Sequence, residues 1–276
     1  MRILLHLSDI HFGRFDQGIL PSLLETVQSI RPDLVVVSGD LTQRARPEQF
    51  QAAREFLAML PKPQIVVPGN HDVPLHNLAA RLYRPLTNYR RYITDDLHPF
   101  YSDSEIAVLG INTARALIWK NGRIDQRQVA RIQADFCNIG AGVTKVLVTH
   151  HPFDLPEHYT AGDLVGRARL AMKAVADCGI DLLLAGHFHI GHAGHTAVRY
   201  KTPGHSAIFV QAGTLSTRGR GEPNSFNSIR CVEAGREPAH LRHVEVDRYW
   251  WSEEKCAFAK TATERFEFGP GGWRSS

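Results

Sequence analysis

Five short apolar runs in this sequence each stop at residues that can hold a cation. "LLHLSDIH" ends in Asp9 and His11, "LVVVSGD" in Asp40, and "IVVPGNHD" in Asn70, His71 and Asp72. "VLVTHH" ends in His150 and His151, and "LLLAGHFH" in His187 and His189. The donors are carboxylates, imidazoles and one amide oxygen, with no thiolate. Such a set suits borderline-hard divalent ions such as Mn, Fe, Co or Zn, rather than a structural zinc site. Two carboxylates, four histidines and an amide are too many for one ion and enough for two that share a bridge. Asp40 is the natural bridge, because a carboxylate on a tight glycine turn offers both sides to two cations. Gly39, Gly69 and Gly186 each precede a candidate ligand. A missing Cβ gives the backbone room to turn sharply and approach the ions.

Residues so far apart meet only if the fold delivers several strand ends to one place. Apolar runs at 3–7, 34–37, 65–67, 106–109, 146–148, 182–184 and 208–210 read as buried strands. Helical periodicity falls between them at 20–30, 47–60, 125–137 and 167–178. Pro21 suits a first turn, and Gly179 closes the last of these helices. Strands alternating with helices predict an α/β architecture with a largely covered sheet. In such sheets ligands bind beyond the carboxyl ends of the strands, which is where the candidate ligands lie. After Asn224 the texture changes. Runs at 228–232 and 243–246, and Phe266 and Phe268 alternating with charged residues, predict antiparallel strands closing a second sheet. No Pro/Gly/Ser-rich linker splits the chain, so the reading is one domain over 1–268. The final "GPGGWRSS" reads as a frayed tail over 269–276.

The chain has 276 residues, 43% hydrophobic and 22% charged, which is ample for a core. No apolar run has transmembrane length, and the N-terminus does not read as a signal peptide. The expected location is therefore cytoplasmic. Cys137, Cys178, Cys231 and Cys256 lie far apart without zinc or redox spacing, so scattered reduced thiols are expected. Net charge is +4, with 25 Arg against 7 Lys. That balance is compatible with anionic substrates. It lacks the concentrated basic stripe of a nucleic-acid binder.

Taken together the motifs resemble those of the calcineurin-like metallophosphoesterases. The match runs D-x-H (Asp9, His11), G-D (Gly39, Asp40), G-N-H-D (Gly69 to Asp72), H-H-P (His150 to Pro152) and G-H-x-H (Gly186 to His189). Within that superfamily the chain looks most like bacterial class III cyclic-nucleotide phosphodiesterases, including G-D-L-T and G-N-H-D-V-P after the second and third strands. The resemblance implies a four-layer αββα sandwich of two mixed β-sheets flanked by helices. It implies two divalent or trivalent transition-metal ions, Mn and/or Fe, or else Zn or Co. One would be held by Asp9, His11, Asp40 and His189, the other by Asp40, Asn70, His150 and His187. A bridging hydroxide would attack phosphorus in line, and His71 would stabilise the transition state or protonate the leaving oxygen. The implied substrate is a small phosphodiester resembling 3′,5′-cAMP. The alternatives are a pyrophosphatase of a UDP-linked lipid A precursor, another phosphodiesterase or nuclease of the superfamily, and a non-catalytic scaffold.

Other residues carry two readings each. Asp72 orients His71 or caps a turn, with the structural role favoured. His151 touches substrate or supports a ligand. The segment holding Arg81, Arg84, Arg90 and Arg91 covers the site and grips a second phosphate or stacks a base, or else it is a solvated helix face. Arg218 and Arg220 reach the substrate or sit in a plain glycine-rich loop. His6 reads as packing, and His192 and His195 as solvated loop residues. Physiological substrate, metal pair and assembly into homo-oligomers stay open.

Overall fold

A computed structural model describes residues 1–232 and 242–276. Strands β1 (Arg2–Leu7), β2 (Leu34–Val37) and β3 (Gln64–Val66) run parallel. Their side chains alternate between two covered faces, as a period of two demands. Leu5, Val35 and Val37 face helices, while Leu4, Val36 and Ile65 face the other way. Both faces are therefore apolar, and the strands read as unbroken apolar runs.

Two helices cover the first face. α1 (Leu20–Ile30) carries Pro21 in its first turn and buries Leu23 and Val27. α2 (Pro47–Met59) begins on its proline and buries Phe50, Ala53 and Phe56. Two short helices, α3 (Leu78–Tyr83) and α4 (Thr87–Tyr92), follow β3 and its loop.

A second sheet comes next in the chain: β4 (Phe100–Ser102), β5 (Ile106–Gly110), β6 (Thr144–Val148), β7 (Leu182–Ala185), β8 (His192–His195) and β9 (Ile208–Gln211). Its order is β4-β5-β6-β7-β9-β8, parallel through β5, β6, β7 and β9, and antiparallel at both edges. α5 (Gln126–Phe136) and α6 (Ala168–Asp177) cover its outer face with Ile132, Phe136, Ala171 and Val175. α5 starts in a capping box: the Asp125 carboxylate accepts from the Gln128 N–H, and the Gln128 side-chain oxygen accepts from the Asp125 N–H.

The remaining strands return to the first sheet. β10 (Ser225–Val232) pairs antiparallel with β1, followed by β11 (His243–Ser252), β12 (Ala257–Gly269) and β13 (Gly272–Ser275). The order of that sheet is β13-β12-β11-β10-β1-β2-β3. Between the sheets lies one apolar layer in which Leu4, Val36 and Ile229 meet Val108, Val146, Leu182 and Val210. The architecture is the expected αββα sandwich of two mixed sheets.

Three expectations are corrected. The C-terminal strands are antiparallel, but they widen the first sheet instead of closing a second. The end read as frayed forms a hairpin, with Phe268 opposite Trp273 and Gly272 in the left-handed region at φ +93°. Trp273 is buried and its indole N–H donates to Asp181 Oδ1 at 2.8 Å, which anchors the strand. Cys137 and Cys178 form a disulfide at the C-terminal ends of α5 and α6, while Cys231 and Cys256 are free. Their separation of 41 residues hid that the two helices pack side by side.

Candidate metal centre

The seven expected ligands converge where the carboxyl ends of both sheets meet. Asp9 and His11 follow β1, Asp40 follows β2 and Asn70 follows β3. His150 follows β6, while His187 and His189 follow β7. The turns that carry them are strained. Nine non-glycine residues among those described have positive φ, and five are Asp9, His11, Asp40, His187 and His189, at φ +51° to +77°. Left-handed backbone costs energy in residues with a Cβ, and strain of this kind clusters at functional sites. The glycines provide the expected room. A Cβ on Gly186 would lie 1.8 Å from Ser8 Oγ, and one on Gly69 would lie 2.1 Å from Asp40 Oδ1.

Hydrogen bonds to the backbone set the imidazoles. His11, His71, His150 and His189 each direct Nδ1 at a backbone carbonyl: Thr42 at 3.4 Å, Gln43 at 3.0 Å, Ser38 at 2.8 Å and Arg218 at 2.8 Å. Nδ1–H donation leaves each Nε2 with a lone pair turned into the site. His11 Nε2 and His189 Nε2 then face each other at 3.1 Å. Asn70 Oδ1 stands 3.1 Å from His150 Nε2, and Asp40 Oδ2 stands 3.3 Å from the same nitrogen. Asp9 Oδ2 accepts from Ser8 Oγ and the His187 N–H. Its Oδ1 is buried without a hydrogen bond, 3.1 Å from His189 Nε2, and His187 Nε2 is likewise unpartnered. Acceptors aimed at acceptors are unfavourable unless positive charge lies among them. The donor set therefore fits cations.

Three overlapping groups place their ligand atoms within 4.8 Å of one another: Asp9, His11 and His189; Asp9, Asp40 and His150; and His150, His151 and His187. The charges agree with the geometry. Burial alone would raise the pKa of Asp9 and Asp40, yet His189 beside the first and His150 beside the second hold both below the usual carboxylate range. Burial alone would lower the pKa of His150, but Asp40 pushes it up to about 9. His187 is pulled down to about 3, by burial first and by His150 second.

The other predicted residues divide. Asp72 is a turn anchor: its carboxylate accepts from the N–H groups of Leu41, Thr42 and Gly69 and from Thr42 Oγ1. His71 lies at the site with its Nε2 3.0 Å from Arg218 Nη1, and burial holds its pKa below the usual value. Arg218 also approaches His11 Nε2 at 3.3 Å, so the structure brings this arginine to the centre. His151 is buried against His150 and His187, with Nδ1 2.8 Å from Thr113 Oγ1.

Arg81 and Arg84 are not brought to the centre. Arg81 is buried, donating to the carbonyls of Ala116, Pro74 and Ile118, with its guanidinium 4.2 Å from the centre of the Trp119 ring. Arg84 is exposed beside a separate cleft with Pro74 and Tyr83. His6 packs in the core with Nε2 on Ser38 Oγ, as expected. His192 and His195 lie on edge strand β8, not in a loop. Leu75, Trp119 and Lys120 line the mouth of the site, in a cleft of about 290 Å³, and sequence reasoning missed Trp119 and Lys120. The available signal was an apolar "ALIW" inside a loop, at 116–119.

The model of the calcineurin-like phosphoesterase family matches residues 2–191. The chain belongs to that family. The calcineurin-like phosphoesterases use a dinuclear metal centre, and the ligand geometry above lies within the matched span. A glycerophosphodiester phosphodiesterase of Enterobacter lignolyticus is 30% identical over 172 residues, covering 55% of this chain and 58% of that protein. A probable cyclic nucleotide phosphodiesterase of Vesicomyosocius okutanii is 26% identical over 90 residues, covering 30% of this chain and 38% of that protein. The chain thus matches less than two thirds of the length of these curated relatives. Among solved structures, a dimetal phosphatase from Danio rerio superposes with a TM-score of 0.63 at 11% identity, covering 97% of this chain and 99% of that one. This likeness shows the shared fold. No helix among the described residues is long and apolar enough to cross a membrane.

Proposed function

We propose that this calcineurin-like phosphoesterase hydrolyses small phosphodiesters at a two-cation centre. The observation that carries the reading is the convergence of imidazole Nε2 atoms, two carboxylates and the Asn70 amide oxygen at the seam between the sheets. Asp9, His11, Asp40 and His189 would hold one cation, and Asp40, Asn70, His150 and His187 the other, with Asp40 shared. Mn or Fe suits these donors, as do Zn and Co. When bound, two such cations acidify water and neutralise phosphate oxygens.

The chain's own groups supply the rest. Gln43 O holds the His71 ring through Nδ1, which turns Nε2 toward the space above Asp40 and Asn70. Arg218 adds a positive charge beside that nitrogen, suited to a phosphate oxygen. His71 then serves the leaving oxygen or the developing charge. Trp119 is 53% exposed at the mouth and backed by Arg81, which offers a flat face to a nucleobase. That ring favours the cyclic-nucleotide reading among small diesters, while the relative from Enterobacter favours a glycerophosphodiester.

The test is a substrate panel on Mn-loaded protein: bis-p-nitrophenyl phosphate, p-nitrophenyl phosphate, 3′,5′-cAMP and glycerophosphoethanolamine. Turnover of the diesters with a weak monoester rate supports the proposal. A monoester rate above every diester rate would overturn it. The ratio of cAMP to glycerophosphoethanolamine turnover chooses between the two substrates.

A further inference from the structure

Beside the proposed centre lies a second cleft, of about 430 Å³, walled by Arg14, Arg44, Arg46 and Arg218 together with Gln43 and Gln49. No carboxylate among the described residues lines it. Arg218 belongs to both clefts: it reaches His71 on one side and forms part of this wall on the other. Arg14, Arg44 and Arg218 form no ion pair among the described residues. Arg46 has an exposed contact with Glu48, at 3.9 Å. Burial lowers the pKa of Arg218; Asp40 and Asp9 on the side of the proposed centre oppose that, and Arg220 and Arg44 add to it.

Like charges gathered in one cleft repel one another, so something must hold them. Here the backbone does. The Arg14 N–H donates to His11 O and the Thr217 N–H donates to Arg14 O, at 2.7 and 2.9 Å. The Gln43 N–H donates to Phe12 O at 3.0 Å, and the Arg44 N–H to Gln49 Oε1 at 2.8 Å. Gly13 turns in the left-handed region at φ +99°, and a Cβ there would fall 2.3 Å from Gln49 Nε2. Three loops are thus pinned so that their guanidinium groups share one cleft. Arg44 Nη1 lies 3.1 Å from His76 Nε2, and Arg218 uses Nη1 toward His71 and His11. Guanidinium forks match phosphate oxygens in planar pairs, and the remaining N–H groups of these arginines keep that capacity.

We propose that this cleft takes a second phosphate carried on the alcohol portion of the substrate. The preferred substrates are then phosphodiesters that bear a further phosphate. The inference rests on the phosphodiesterase reading and adds a substrate class to it. One of the two sequence readings of 81–92 is a grip on a second phosphate. There Arg81 is spent on backbone carbonyls, Arg90 on Asp95 and Arg91 lies over the Tyr92 ring, whereas Arg14, Arg44 and Arg218 share one cleft beside the proposed centre.

The experiment has a binding arm and a turnover arm, both on the full chain loaded with Mn. Calorimetry compares thymidine 3′,5′-bisphosphate with thymidine 5′-monophosphate. The bisphosphate should bind about tenfold tighter, the worth of one charge-assisted contact. Arg44→Gln and Arg14→Gln should each shrink that ratio while the thermal midpoint stays at the wild-type value. Turnover compares thymidine 5′-(p-nitrophenyl phosphate) with and without a 3′-phosphate, and the added group should raise kcat/KM through KM. Equal affinity for the two nucleotides, or a ratio unmoved in both variants, overturns the second-phosphate site. A retained binding preference with neither ester hydrolysed overturns the hydrolase reading alone.

Discussion

Asp40 Oδ1 accepts the backbone N–H of His71 at 2.8 Å. The other oxygen of the same carboxylate, Oδ2, faces His150 and His11, at 3.3 and 3.7 Å. One side chain therefore sets the proposed cation bridge and the position of the proposed catalytic imidazole.

Asp40→Ala should remove both functions together. Metal content should fall from about two equivalents to less than one, and diester turnover should drop by about a thousandfold or more. Elemental analysis beside a rate assay checks it. In the wild type, Mn at about 100 times its dissociation constant should raise stability by about 2.7 kcal/mol per site. Thermal unfolding with and without Mn should show that gain, and the variant should lose it.

His71→Ala should keep the metal and lose rate. The loss should be about 10²–10⁴-fold on an alkyl diester, the usual worth of acid–base help. It should be smaller on a p-nitrophenyl ester, whose leaving group needs no proton. Equal losses on both esters would assign His71 to holding Arg218 and the developing charge.

Asp72→Ala should act on stability first. It strips the acceptor from the N–H groups of Leu41, Thr42 and Gly69. Buried donors left unpaired cost about 1–3 kcal/mol each, so a loss of about 3 kcal/mol or more is expected in urea unfolding. Asp72→Asn keeps an acceptor and should lose less.

Asp154 gives the fold a pH dependence away from the centre. Burial pushes its carboxyl up to about 6, against the pull of Arg199, whose Nε lies 2.6 Å away. A carboxyl with a folded pKa above its unfolded value keeps its proton longer in the folded state. Its contribution is therefore fully present below the unfolded pKa and falls as pH rises from about 4 to about 6. Asp154→Asn should flatten that part of the curve. Urea unfolding of chelator-treated protein at about pH 4.5 and about pH 6.5 measures the slope.

The candidate site was legible because the proposed ligands sit at strand ends. Apolar runs locate those ends from composition alone, and α/β topology gathers them. The family resemblance added the proposed pairing of ligands with ions. Local rules also placed α1 and α2, where prolines mark the starts. What stayed hidden was long-range. That β10 joins β1 depends on which sheet has a free neighbour, which no local pattern encodes. The Cys137–Cys178 pairing depends on how two helices pack. Arg81 looked like a substrate contact because an arginine in a helix is normally solvated, yet three carbonyls from two loops bury it. The arginine cleft was invisible for the same reason, since its members come from three segments spread between residues 13 and 218.

The order of strands in the first sheet also governs how the chain can be made. Arg2 of β1 pairs with Cys231 of β10, so the two middle strands of one sheet lie more than 200 residues apart. During synthesis β1 and β2 leave the ribosome early, and the whole second sheet is translated before the missing neighbour arrives. Until then β1 keeps an unpaired edge, the kind of surface that recruits foreign strands. That open edge persists until β10 has emerged.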